Sequence, residues 1–192
     1  MSSTNARQEP RLCCNGIKNR RPAMRLPRSF DDTLMHAPDV RGAVDAALLA
    51  ALRPWCEGGA FPVLAEPLRL ASIAPHAGLD GAAYMLDGSH ELARLGRWRG
   101  LRWRLQILWR ESVAGHCTQR GDPWDCGWWR EGLLGPAEAF RPRRATLLMV
   151  REPAPAVAAA LLATLRARSP AYANPLRLLV VSAAPVAGMA RL

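Results

Sequence analysis

The chain has 192 residues, 49% of them hydrophobic and 22% charged, usage that is ordinary for a globular protein and excludes disorder of the chain as a whole. Its formal net charge is +10, but residues 1–30 hold seven basic groups against Glu9 alone, which leaves only +4 for the rest. The pI of about 10.8 therefore describes the terminal segment more than the body, and does not by itself make the protein a nucleic-acid binder.

Lys18 is the only lysine. Ala, Pro and Gly are abundant, as in GC-rich coding, so each arginine cluster is weaker evidence for anion binding than it would be in a balanced composition. No apolar run reaches the roughly 18 residues that a membrane span needs. The basic N-terminus has no apolar stretch of the kind a secretory signal carries. Five cysteines, an odd number without such a signal, read as reduced thiols in the cytoplasm rather than a disulfide framework.

Residues 1–29 carry scattered charge with Pro10, Pro22 and Pro27 and no periodicity; this composition predicts a disordered basic tail. Met24 lies within it as an alternative start. Residues 30–192 are read as one α+β domain, long enough to bury roughly two-thirds of its unfolded surface.

The clearest helix runs from Asp39, a candidate cap, to Cys56: Val40, Val44, Ala47, Leu48, Ala51, Leu52 and Trp55 recur on one face, and Gly58-Gly59 supply the stop. After a proline-rich passage, Tyr84–Leu86 and Leu92–Leu95 flank Asp87-Gly88-Ser89, the pattern of a hairpin. From Leu101 to Trp109 the alternation of Leu101, Trp103, Leu105, Ile107 and Trp109 with Arg102, Arg104 and Gln106 predicts a half-buried strand in an antiparallel sheet. Residues 115–136 read as a long loop, and 145–150 as a strand. Pro155–Arg168 is a helix with proline in its first turn, and Leu176–Ser182 a second strand pairing in parallel with the first through a crossover. The expected fold is thus an antiparallel β-meander with an N-terminal packing helix and a C-terminal β-α-β unit.

Chemistry-bearing residues concentrate in the loop around His116, Cys117, Arg120, Asp122, Trp124, Asp125, Cys126, Trp128, Trp129 and Arg130. A zinc site would need close ligand pairs, whereas eight residues separate the two cysteines. A thiol nucleophile lacks any wider signature. No catalytic residue, metal or cofactor is assigned. The segment Arg151-Glu152-Pro153-Ala154-Pro155 has no glycine to admit a phosphate to the backbone.

Six arginines and three tryptophans lie within residues 94–110 without an acid. Of these, Arg97, Arg99, Arg102 and Arg104, together with Arg120 and Arg130, define a candidate nucleic-acid surface. On a strand, however, Arg102 and Arg104 would face away from Trp103 and Trp109. Trp124, Trp128 and Trp129 define a candidate interaction loop. The leading expectation is a small intracellular accessory or protein-interaction module that binds a protein partner, with nucleic-acid binding second and a Cys/His enzyme third.

Overall fold

The fold is that of a computed structural model in which residues 35–39, 44–61, 63–112, 120–130 and 134–192 are described. The expected tail, His116 and Cys117 lie outside those residues.

Among the described residues six strands form one mixed sheet: β1 (Met35–His36), β2 (Leu68–Ile73), β3 (Asp125–Trp129), β4 (Thr146–Arg151), β5 (Leu176–Val181) and β6 (Ala190–Arg191), in the order β1-β3-β4-β5-β2-β6. Only β1 runs antiparallel, pairing Met35 with Trp129 and His36 with Trp128. The β3–β4, β4–β5, β5–β2 and β2–β6 pairings are all parallel. The expected antiparallel meander is therefore corrected to a mostly parallel sheet, while the parallel pairing of β4 with β5 stands.

The reason lies in burial. Every residue of β5 and all but the last of β4 are buried, giving the mainly apolar runs of strands covered on both faces, with Thr146 and Arg177 the buried polar residues in them. Side chains alternate between two cores. One holds Ala71, Ile73, Cys126, Trp128, Leu147, Met149, Leu179 and Val181 under Leu52 and Cys56 of α1 (Ala46–Glu57) and Leu79, Ala82, Ala83 and Leu86 of α2 (Leu79–Leu86). The other holds Trp129, Leu148, Val150, Leu176, Leu178 and Val180 under Ala137 of α5 (Leu134–Ala139) and Leu161 and Leu165 of α6 (Pro155–Arg168). The sheet is thus the middle of three layers.

Local chemistry explains the helix ends. The first helix begins at Ala46 rather than beside Asp39: Asp45, in extended conformation, accepts from the amides of Ala47 at 2.8 Å and Leu48 at 3.1 Å, the bonds an N-cap supplies. Those amides hold the Asp45 carboxyl below its ordinary range. The helix's C-terminal carbonyls find no basic partner in its own last turn. They are met from the sheet instead: Arg177 donates to the carbonyls of Cys56 and Gly58, and Arg69 to that of Trp55. These cations also face the negative end of the helix dipole.

Two expected strand regions are helical. Asp87-Gly88 does turn the chain, with Gly88 at φ +71°, but it joins α2 to α3 (Ser89–Arg94) rather than two strands. A Cβ at Gly88 would meet Trp103 and Pro123, each at 2.9 Å, so the close approach as well as the positive φ requires glycine. Residues 97–112 form α4 (Arg97–Ser112), not a strand. The alternation misleads because two residues advance a helix by about 200°. Leu101, Leu105 and Trp109 therefore point outward, while Trp103 and Ile107 between them turn toward the body. Conversely β2, within the proline-rich passage, and β3, within the expected loop, were not anticipated as strands.

Candidate interaction surface and sheet-edge cleft

The outward side of α4 carries four of the seven exposed large hydrophobic side chains among the described residues. Trp98 is 84% exposed, Leu101 42%, Leu105 56% and Trp109 69%. Spacings of three, four and four residues set these side chains in one row along the helix. At 100° per residue the row spans about 80° of the circumference. Arg97 and Arg104 lie on one flank by the same geometry, and Arg99 and Arg102 on the other. Arg97, Arg99 and Arg102 are exposed and Arg104 is half-buried. On its inward side the helix packs through buried Ile107 and Gly100 and half-buried Trp103.

The helix therefore brings together what a strand would have separated: exposed tryptophans and exposed arginines share one surface. The other candidates go elsewhere. Arg120 is exposed in a turn, its Nε 3.6 Å from the Glu57 carboxylate of α1, and Arg130 is exposed just after β3. Trp124, Trp128 and Trp129 are 1%, 5% and 5% exposed. They do not form the surface of a loop: β3 carries two of them into the cores, because a strand covered on both faces buries both parities of side chain. Cys126 is buried on the same strand. Cys56 is fully buried as well, and burial pushes its thiol up to about 12, which leaves almost no thiolate for nucleophilic chemistry near neutrality. No His, Cys, Asp and Glu group among the described residues has the arrangement of a metal site.

A second feature lies at the carboxyl ends of the strands. The segment after β2 runs into α2 on one face of the sheet, whereas the segment after β4 runs into α6 on the other. The crevice between them is a cavity of about 360 Å³ lined by Pro75, His76, Leu79, Asp80, Trp128, Arg151, Glu152 and Val181, among others. Asp80 Oδ1 accepts from the Trp128 indole at 2.6 Å and from the Asp39 amide at 3.2 Å. The Arg151 guanidinium lies over the Trp128 ring, 4.5 Å from its centroid, a cation–π contact. His76 is fully engaged: Nδ1 accepts from the Gly78 amide at 3.0 Å, and Nε2 sits 3.3 Å from Asp45 Oδ2.

Sequence reasoning named the arginines of α4 but missed the row formed by Trp98, Leu101, Leu105 and Trp109. The signal was present as helical spacing, hidden under the stronger period of two. It also missed the cleft, whose residues come from four separate segments. No family model, curated protein or solved structure matches the chain. No helix among the described residues is long and apolar enough to cross a membrane.

Proposed function

We propose that the protein is an interaction module that docks on a protein partner through α4, and that the partner presents an amphipathic helix with an apolar seam and acidic flanks. The observation that carries this reading is the exposed row of Trp98, Leu101, Leu105 and Trp109. Single exposed apolar side chains are normal, but a contiguous row on one helix is a surface that a partner covers. Tryptophan is also the side chain most enriched among residues that dominate interface energy.

Three features favour a helical protein partner. The row is about 80° wide, closer to the narrow seam of a coiled coil than to the broader stripe of a helix lying on a core. Arginines on both flanks call for acids opposite, in the way flanking charges select a partner helix. The same arginines would oppose one another across a second copy of α4, and residues 1–30, at net +6, carry the wrong sign to cover it.

Nucleic acid is the second reading, because exposed Trp98 and Trp109 accompany exposed Arg97, Arg99 and Arg102. The spacing disfavours it. The two tryptophans lie about 16 Å apart along the helix, and Leu101 and Leu105 between them offer no ring on which a base can stack.

The test is a photoreactive residue in place of Leu105, carried by the full chain in the cells that make it, with the same residue in place of exposed Arg166 on α6 as control. Position 105 should give one discrete protein adduct, and position 166 should not. Adducts only to nucleic acid or lipid, an identical pattern from both positions, or no adduct at position 105 would each contradict the proposal.

A further inference from the structure

We propose that the crevice at the carboxyl ends of β2, β4 and β5 binds a small zwitterion of the α-amino-acid type, with Arg151 taking the carboxylate, Asp80 the ammonium group and the apolar wall the side chain. In open parallel sheets, ligands bind outside the carboxyl ends of the strands where connections leave for opposite faces. This cavity lies between the segment leading to α2 and the segment leading to α6. Its volume of about 360 Å³ falls within the range of small-molecule sites.

The lining specifies the ligand's chemistry. Pro75, Leu79 and Val181 make an apolar wall. Asp80 and Glu152 contribute negative charge and Arg151 positive charge at the same cavity. A purely anionic ligand would meet two carboxylates and a purely cationic one would meet the guanidinium, whereas a zwitterion satisfies both signs. The groups are also held in place. The bonds from Trp128 and the Asp39 amide fix Asp80 through Oδ1 and leave Oδ2 to a ligand, and Arg151 is stacked on the Trp128 ring. Such support from surrounding side chains is what a binding constellation requires. His76, with both ring nitrogens engaged, frames the cavity and is not poised as a base.

Backbone strain marks the same place. Glu152 has φ +38°, the only positive φ outside glycine among the described residues, and it immediately follows Arg151 at the end of β4. Such a conformation is strained and concentrates at ligand clamps.

The test is calorimetric titration of the full chain with L-leucine and L-phenylalanine, alongside 4-methylpentanoate, which lacks the ammonium group, and 3-methylbutylamine, which lacks the carboxylate. At least one amino acid should bind with a Kd below about 1 mM, and both single-charge analogues at least about tenfold more weakly. Arg151→Met, at an exposed position and with its melting temperature measured because Arg151 also stacks on Trp128, should weaken the amino acid by about tenfold or more. Asp80→Asn should do the same, with its melting temperature measured because Asp80 also holds Trp128. A double Trp98→Ala, Trp109→Ala variant should bind as the wild type does, which separates this site from the α4 surface. No binding of either amino acid, equal binding of the analogues, or unchanged binding by Arg151→Met would overturn the proposal.

Discussion

Arg177, fully buried on β5, reaches the end of α1 and donates its Nε to the Cys56 carbonyl at 2.8 Å. Its other nitrogens donate to the carbonyls of Glu66 at 2.9 Å and Gly58 at 2.8 Å. One side chain thus satisfies carbonyls from a helix end and from the segment entering β2. Burial lowers its ionisation to about 10, so the charge is kept at a desolvation cost that these bonds offset.

Replacing Arg177 with Met should leave those carbonyls buried without donors and destabilise the fold by about 2–4 kcal/mol. Urea unfolding measures this; a loss under about 1 kcal/mol would mean that water or Arg69 takes over the carbonyls.

The cap of α1 should show itself in acid. Because the folded pKa of Asp45 is depressed by the Leu48 and Ala47 amides, its contribution is complete above the unfolded value of about 4 and is lost as pH falls through the lower folded value. Asp45→Asn should retain a cap and flatten this part of the melting profile, and Asp45→Ala should lower the melting temperature at neutral pH. Parallel acid profiles for wild type and Asp45→Asn would contradict the assignment.

Cys56 should resist alkylation in the native state. With its thiol raised to about 12 by burial, reaction with iodoacetamide at pH 8 should be at least about a hundredfold slower than for the unfolded chain. Peptide mass spectrometry after timed quenching follows the site directly, and rapid native labelling would show that α1 opens.

Two tryptophans should behave in opposite ways. Trp98→Ala, on a ring that is 84% exposed, should change stability by no more than about 0.5 kcal/mol. Trp124→Ala, on a ring that is 1% exposed, should cost about 3–5 kcal/mol. A large loss at Trp98 would mean that the α4 row is covered within the chain and is not a docking surface.

How much of this was legible in the sequence varied with what surrounds each element. β4, β5 and α6 could be read nearly residue for residue, because a strand buried on both faces is a mainly apolar run, interrupted in β5 by Arg177, and Pro155 marks the start of α6. β3 was not, since Asp125-Cys126-Gly127-Trp128-Trp129 mixes an acid, a glycine and aromatics in the manner of a loop, and only its neighbours β1 and β4 make it a strand. α4 was misread for a reason tied to its proposed role. A helix apolar on both its inward and outward sides interleaves Trp103 and Ile107 with Leu101, Leu105 and Trp109, and so imitates a strand. Of the candidate site, the arginines were visible as composition, but their side of the helix was not. The cleft joins Asp80, Trp128 and Arg151 through the sheet order, which no local pattern reveals.

The measurement that bears most directly on the central claim is the dissociation constant between the purified full chain and the partner cross-linked from position 105. It should be taken for the wild type and for the Trp98→Ala, Trp109→Ala double variant, over a range of salt. Two interface tryptophans at about 2 kcal/mol each predict a loss of at least about a hundredfold in affinity. Salt should weaken the wild-type complex only moderately, because the apolar row supplies most of the energy and the arginines mainly steer. Undiminished binding by the double variant would contradict docking through α4. Binding that instead collapses with salt as phosphate contacts do, and is lost on Arg99→Glu with Arg102→Glu while tolerating the tryptophan changes, would contradict it in favour of nucleic acid.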